Sequence, residues 1–428
     1  MTQEGTGRNR QTLKARWWSF FYRRCLVGFP WFWPGRPPRG VPAMVAARRV
    51  ARQHFGRDQH PLYRALAQVL TTIAWPPAAL IHLWQIRRLL GPEAVPIKRV
   101  PGALWAAVRH NILPCDYYAC ALWQPDRRAN IDNYLYANES VHLFKALNRP
   151  SQPDPIRDKL AFHELCKANL LPTPSVLAAF APTGKLLEFE AGRPPEEDLF
   201  VKPRHGYGGD GTERFRWHQA GFEKDCGYRL SPQDLETYLS TRARSEDRTL
   251  LVQPLLSNHP ELCIQLNGAL AIVRLITGRS IDGDVIPIFG FAYFSVDEGW
   301  QVEGLIDASS GRLMSTPLRN RSGTMHWHCR RGSDDLCMMP EWDAALRYAK
   351  TAHQSCAHVV FIGWDIAFTS HGPMLLEGNV NWSPDAFQSL SGEPLGHTKF
   401  ADVLATHLIK SGRSSKSIIS APSFGRKI

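Results

Sequence analysis

The segment that constrains this chain most runs Phe200-Val201-Lys202-Pro203 and then Arg204-His205-Gly206-Tyr207-Gly208-Gly209-Asp210-Gly211-Thr212. The apolar run from Asp198 reads as a strand that delivers a lysine into a loop with four glycines in six residues. Lacking Cβ atoms, such a loop lets backbone N–H groups approach an oxyanion closely, and the Lys202 ammonium adds charge beside them. The residues after the loop set its class. A dinucleotide-binding loop opens a helix, whereas Thr212-Glu213-Arg214-Phe215-Arg216-Trp217 alternates polar and apolar residues like a second strand. The loop is therefore expected to form a hairpin tip that folds over a nucleotide. A surface hairpin with no ligand would carry the same glycines, so neighbouring motifs must discriminate.

Those neighbours come in order along the chain. Asp158-Lys159-Leu160-Ala161-Phe162-His163-Glu164-Leu165 has helical apolar spacing and stops at Leu171-Pro172-Thr173-Pro174, which leads into a strand at Ser175 to Phe180. Leu250 to Leu256 is an apolar strand leading to Glu261, and Ala271 to Thr277 places Arg274 in an otherwise buried-looking strand. A strand-borne arginine wants an anion. An internal salt bridge and a bound phosphate or carboxylate account for Arg274 equally well. Finally, Phe361 to Phe368 and Pro373 to Asn381 read as two strands joined at Ser370-His371-Gly372. Period-two alternation puts Glu377 and Asn379 on one face, and hairpin pairing can bring Asp365 beside them. Two carboxylates and an amide oxygen suit magnesium that also touches nucleotide phosphates. Acidic residues at strand ends are often merely solvated, but the apolar neighbours disfavour that here.

A chain of 428 residues has room for two or three domains, and a mean hydropathy of −0.27 is too polar for a polytopic membrane protein. The net charge of +12 lies at the ends. Residues 1 to 60 hold twelve Arg or Lys against Glu4 and Asp58, and residues 401 to 428 add a net +4, leaving the 340 between at −2. That distribution excludes a whole-domain nucleic-acid surface and points to an end that meets phosphate or anionic lipid. Trp17-Trp18-Ser19-Phe20-Phe21-Tyr22-Arg23-Arg24 and Trp31-Phe32-Trp33 mix the residue types of a bilayer headgroup layer, without the h-region and cleavage site of a signal peptide. Residues 1–90 are thus a candidate membrane-surface contact, the alternative being a solvated basic tail with a helical cap. Ala65 to Ile86 carries no Asp, Glu, Lys or Arg over 22 positions, but Pro76-Pro77 at its centre favours a broken helical hairpin over a span. Residues 100 to 157 read as helical, with apolar spacing over Leu104 to Ile112 and Asn138 to Leu147.

Nine cysteines, an odd number with no close CxxC pair, fit a reducing compartment, hence a cytoplasmic protein, either free or peripheral on the inner face of the cell membrane. His326, His328, Cys329 and Cys337 match no common zinc spacing, and His353, Cys356 and His358 read as core or surface residues of a helix entering a strand. The serine-rich basic tail from Ser411 reads as disordered.

Taken in order, the motifs from Asp158 to Phe400 resemble the ATP-grasp superfamily, and within it the sugar-transfer-associated branch related to alpha-L-glutamate ligases. The resemblance implies an α+β, ATP-grasp fold over residues 158–405, two α+β lobes clamping ATP, preceded by a mainly helical region 61–157 and the basic segment 1–60, and followed by a tail 406–428. It implies that Lys159 and Lys202 contact ATP phosphates, that Gly206, Gly208, Gly209 and Gly211 form a mobile lid, and that the Gln253 to Leu256 segment, with Gln253 and Leu255, is the adenine-binding linker with Glu261 toward the ribose. It also implies that Asp365, Glu377 and Asn379 hold magnesium and that Arg274 stabilises the transferred phosphoryl group or a substrate carboxylate. Gln253 and Pro254 depart from the pattern, since the linker is often acidic there, and no Rossmann-like domain is evident before Asp158. The function so implied is an ATP- and magnesium-dependent carboxylate-amine ligase working through an acylphosphate on a cell-envelope or exopolysaccharide substrate, either a small molecule or a lipid-linked sugar. Alternatives are a phosphoryl transferase on the same scaffold and a non-catalytic nucleotide-binding scaffold at the membrane.

Overall fold

The computed structural model describes residues 40–54, 60–148, 155–206, 210–224, 227–262, 270–297, 300–315, 318–320, 325–326 and 338–410. The aromatic segment before Gly40, Gly208 and Gly209, the set His328, Cys329 and Cys337, and the tail from Ser411 lie outside them. The chain divides into two compact units, one of Met1–Ala146, Ser322–Thr324 and Ser383–Ile428, the other of Leu147–Arg321 and Met325–Trp382.

Among the described residues the first unit is helical: α1 (Pro42–His54), α2 (Pro61–Leu90), α3 (Val100–His110), α4 (Pro114–Ala119), α5 (Pro125–Ala129) and α6 (Ala137–Leu147), with two C-terminal helices at Asp385–Ser391 and Lys399–Lys410. Prolines open α2 to α5, where a missing N–H costs nothing. Arg48 of α1 ties the unit together, donating to Glu139 Oε1 at 3.0 Å and to the carbonyls of Asp132 and Tyr134. Gln388 does the same for the C-terminal helices, accepting from Leu135 N and donating to Leu135 O. These contacts divide the chain near Ser383, where the sequence motifs had run the second domain on to 405, and residues 406–410 finish a helix.

The broken hairpin expected around Pro76-Pro77 is not found. A single 30-residue helix, α2, runs through both prolines. Two lost hydrogen bonds are offset by packing, because Trp75, Ala79, Leu83 and Ile86 are buried and Trp75 Nε1 donates to Ala107 O at 2.7 Å. Among the described residues no helix is long and apolar enough to cross a membrane.

Among the described residues the second unit holds α7 (Lys159–Ala168), α8 (Pro232–Glu246) and α9 (Trp342–Gln354), and its strands fall into two antiparallel sheets. The first orders β2 (Gly184–Leu187), β1 (Ala178–Ala181), β7 (Leu250–Pro254), β3 (Leu199–Pro203), β4 (Glu213–His218), β5 (Gly221–Lys224) and β6 (Arg229–Leu230), and packs apolar residues such as Phe215 and Val252 against Leu235 and Leu239 of α8. The second orders β13 (Met325–His326), β12 (Leu318–Asn320), β10 (Trp300–Ile306), β9 (Val285–Asp297), β8 (Ile272–Arg279), β14 (Phe361–Thr369) and β15 (Gly372–Asn379), with β11 (Leu313–Ser315) on β10. Its core joins Val273, Ile362 and Trp364 to Ala345 and Ala349 of α9 and Phe162 of α7. The glycine loop does join β3 to β4 as a hairpin, and β14 turns into β15 at Ser370-His371 with Gly372 at φ 91°.

Candidate functional site

Strand register builds the site. Arg274 lies directly opposite Asp365, and Asp365 directly opposite Glu377, so three neighbouring strands present one charged row on a single face. Arg274 grips Asp365 with both prongs, Nε to Oδ1 at 2.6 Å and Nη2 to Oδ2 at 2.5 Å. Of the two readings open for Arg274, this geometry is the internal pair. Asn379, two residues beyond Glu377, donates Nδ2 to Asp365 Oδ2 and Glu377 Oε1, each at 3.3 Å. Burial raises the Asp365 carboxyl to about 6, Arg274 opposes the rise and the like charge of Glu377 adds to it. At neutral pH the Asp365 carboxylate is ionised directly opposite the Glu377 side chain, an arrangement that favours a cation.

The two lysines converge on the same row. Lys159 opens α7; its Nζ donates to Gly206 O at 2.9 Å and lies 3.9 Å from Glu377 Oε2. Burial lowers its pKa against the pull of Glu377 and Asp158. Lys202, near the end of β3, is lowered to about 8 by burial, with Glu377 opposing and Lys159 adding repulsion. Two ammonium groups drawn out of water beside each other are incomplete without an anion.

The loop is tethered at both described ends. Gly206 (φ 153°) is held by Lys159, and the Gly211 carbonyl accepts from Arg242 Nη2 at 2.7 Å. Gly211 has φ 74°, and a Cβ there would sit 3.0 Å from Pro203 Cγ, so its glycine is required twice over. Arg242 is in turn fixed by Glu213 at 2.9 Å, which also binds Lys224. On the near side Arg204 chelates Asp158, the N-cap of α7, whose carboxylate also accepts from Leu160 and Ala161 N–H. Burial alone would raise Asp158, but Arg204 and the helix amides outweigh it and hold the carboxyl low. Neither clamp was legible as a site feature, since Asp158–Arg204 and Glu213–Arg242 are set by tertiary pairing.

The remaining expected contacts are placed differently. Gln253 is buried in β7 and spends its amide on Pro174 O at 3.0 Å, while Leu255 N donates to Asp198 O at 2.8 Å. Both are held by protein. Glu261 is exposed, its N–H on His259 Nδ1, and no described contact brings it to the charged row.

The row also rests on support from the other face of the sheet. Trp364, beside Asp365 and opposite Gly378, donates Nε1 to Thr277 Oγ1 at 2.8 Å; Thr277 meets His353 Nδ1 at 2.7 Å, and His353 Nε2 meets Val359 O at 3.1 Å. Burial drops His353 to about 4, so it is neutral, and a proton on Nε2 lets every donor in this chain find an acceptor. His353 and Cys356 are fully buried, which selects the core from the core or surface placement expected for them. Gly378 sits between Glu377 and Asn379, where a Cβ would come 2.9 Å from Ile156 Cγ2 and 3.0 Å from Trp364 Cζ3. Gly378→Ala is expected to lower stability by about 1–3 kcal/mol through overpacking, measured by denaturant unfolding. Loss below a few tenths would show that this strand is free to shift.

Among the described residues no three or more His, Cys, Asp or Glu gather as a metal cluster, so the candidate set is two carboxylates and an amide. As hard oxygen donors they suit magnesium; Asn379 presents Nδ2 inward, and turning its amide by half a revolution presents Oδ1 instead.

Known proteins bear on the same region. No curated protein matches this sequence. Similar solved structures include N5-carboxyaminoimidazole ribonucleotide synthetase with ADP (12% identity, 60% of this chain and 64% of that one, TM-score 0.34), the ATP-grasp ligase PsnB with its minimal precursor (18%, 67% and 72%, 0.33) and D-alanyl-alanine synthetase A from Vibrio cholerae (10%, 64% and 72%, 0.36). The chain thus spans less than two thirds of the first of these. A family model described as sugar-transfer associated ATP-grasp matches residues 138–401, which contain every residue of the charged row and the loop. The chain belongs to the sugar-transfer-associated ATP-grasp family.

Proposed function

We propose that this protein is an ATP- and magnesium-dependent carboxylate-amine ligase that forms an amide through an acylphosphate, on a cell-envelope or exopolysaccharide substrate. The observation that carries the reading is the convergence of Lys159 and Lys202 on the Arg274–Asp365–Glu377–Asn379 row. The family description supports a sugar-linked substrate.

In this reading a substrate carboxylate attacks the γ-phosphorus of ATP, the bond to the bridging oxygen breaks, and ADP leaves. An amine then attacks the acyl carbon and expels phosphate, losing its proton to solvent or to that phosphate. Catalysis is positioning and charge: Lys159 and Lys202 bind phosphate oxygens, and Arg274, on releasing part of its grip on Asp365, neutralises the transferring group or the substrate carboxylate. Asp365, Glu377 and Asn379 would hold magnesium, which when bound would supply positive charge against the phosphates. Gly206 and Gly211 let the loop close over the acylphosphate and exclude water.

Release of ADP and free phosphate with a panel of sugar acids, amino acids and amines tests this, with Lys202→Ala as control. Turnover requiring both a carboxylate and an amine supports the ligase. ADP without free phosphate supports phosphoryl transfer, and ATP binding with no turnover supports the scaffold.

Nucleotide affinity should depend on pH through Lys202. Its folded pKa of about 8 means that the ammonium is present below pH 8 and lost above it. Calorimetric titration at pH 7 and pH 9 should show ATP binding weakened about tenfold at the higher pH, the ratio of protonated fractions. Lys202→Arg, which stays charged, should flatten that profile, and an unchanged wild-type affinity would remove Lys202 from the phosphate site.

A further inference from the structure

Helix α2 has two apolar faces, and its own unit covers one of them. Trp75, Ala79, Leu83 and Ile86 are buried. On the opposite side Leu66, Val69, Ile73, Leu80, Ile81 and Trp84 are all more than half exposed, Ile73 at 71% and Trp84 at 61%. At about 100° per residue these six fall within an arc of roughly 120°, and at about 1.5 Å per residue the stripe is roughly 27 Å long. A helix with two apolar faces of which only one is covered by its own unit has a missing partner.

We propose that this face of α2 lies in the plane of an anionic lipid bilayer, immersed at the boundary between headgroups and acyl chains. The proposal is independent of the ligase reading. Charge complementarity selects the occupant. No Asp, Glu, Lys or Arg interrupts Ala65 to Ile86, Arg87 and Arg88 close the stripe, and residues 1 to 60 carry twelve basic against two acidic side chains. The same excess repels a second copy of the chain and attracts an anionic surface. Arg88 lies over the Trp84 ring at 5.5 Å, pairing an amphipathic ring with a cation at one end of the stripe, as headgroup-level anchors do. Depth is set by the prolines. Pro76 and Pro77 are exposed and leave the carbonyls of Thr72 and Ile73 without their i+4 amides, groups that need the water of the headgroup layer. No described helix is apolar enough to span, and one face of α2 is taken up by protein. An in-plane helix meets all of these conditions.

The test uses the full chain and sucrose-loaded vesicles of phosphatidylcholine alone or with roughly 30% phosphatidylglycerol. The wild type is expected to sediment with the anionic vesicles and only weakly with the neutral ones. Ile73→Asp combined with Ile81→Asp should lower the partition coefficient about 100-fold. Both positions are exposed, so the thermal unfolding midpoint should be unchanged. Arg88→Glu should weaken binding severalfold on anionic vesicles alone. As a readout that does not rely on the double variant, vesicles of brominated lipid should quench the wild-type tryptophan emission more than that of Trp84→Phe. Binding of the double variant at wild-type strength, or equal quenching in both proteins, would overturn the proposal and place the contact elsewhere. Absence of wild-type binding would overturn it too, as would self-association in sedimentation velocity that the double variant abolishes, which would make the occupant a second copy.

Discussion

Glu377→Gln is expected to lower ATP turnover about a thousandfold or more while leaving the fold as stable as before, or slightly more so. The split comes from where the side chain sits. Glu377 is 30% exposed, faces Asp365 across the β14–β15 pair, and lies 3.9 Å from Lys159. Its like charge helps to raise Asp365, so neutralising it relieves repulsion within the row. The two lysines lose a counter-charge that opposes the lowering of their pKa values, a loss that solvent moderates because Glu377 itself is partly exposed. Function, by contrast, loses a carboxylate at the point where phosphate and cation would meet. The variant should also need more magnesium for half-maximal rate. Paired measurement of ADP release and thermal unfolding checks both halves. Near wild-type turnover would place the chemistry away from this row, and a large drop in melting temperature would make Glu377 structural. A site that carries more like charge than stability wants is the usual mark of function.

Much of this row is legible in the amino-acid sequence alone, because strand alternation is a local signal. Glu377 and Asn379 share a face by period two, and the Ser370-His371-Gly372 turn forces Asp365 into reach. Register between distant strands leaves no such signal. Arg274 and Asp365 are 91 positions apart, and nothing in either strand says that they are opposed, so an internal pair and a bound anion were equally good accounts of Arg274. Asp158 with Arg204 and Glu213 with Arg242 escaped for the same reason. The prolines of α2 misled in the other direction. A local rule says that Pro76-Pro77 breaks a helix, but the rule is outweighed where Trp75, Ala79, Leu83 and Ile86 on the covered face are buried. Gln253 differs in a third way: it does sit in an apolar strand, as its sequence context implies, but its amide turns toward Pro174.

Arg274→Met is expected to damage both stability and activity, and the stability loss should depend on pH. Removing one partner of a buried pair leaves the other charge uncompensated, at a cost of about 3–5 kcal/mol when that charge cannot be neutralised. Asp365 can be neutralised. Burial already raises it to about 6 with Arg274 in place, and without the guanidinium its folded pKa must rise further. A carboxyl whose folded pKa exceeds its unfolded one takes up a proton on folding, so its contribution is fully present below the unfolded value near 3.8 and is lost as pH climbs through the folded value. The variant should therefore lie close to the wild type near pH 5 and fall behind by about 1.4 kcal/mol per pH unit above 6, until the folded pKa is passed. Denaturant unfolding at pH 5, 6.5 and 8 reads this directly. Adding Asp365→Asn should restore stability at pH 8, since both charges are then gone, yet leave ATP turnover at the level of the single variants or below. Arg274→Lys separates the remaining roles. It keeps the charge and loses the two-pronged grip, so it should recover much of the stability but little of the rate if geometry at the transferring group is what Arg274 supplies. A pH-independent loss in Arg274→Met would mean that Asp365 is already protonated beside Arg274, and the charged row would not be a place where a cation is held.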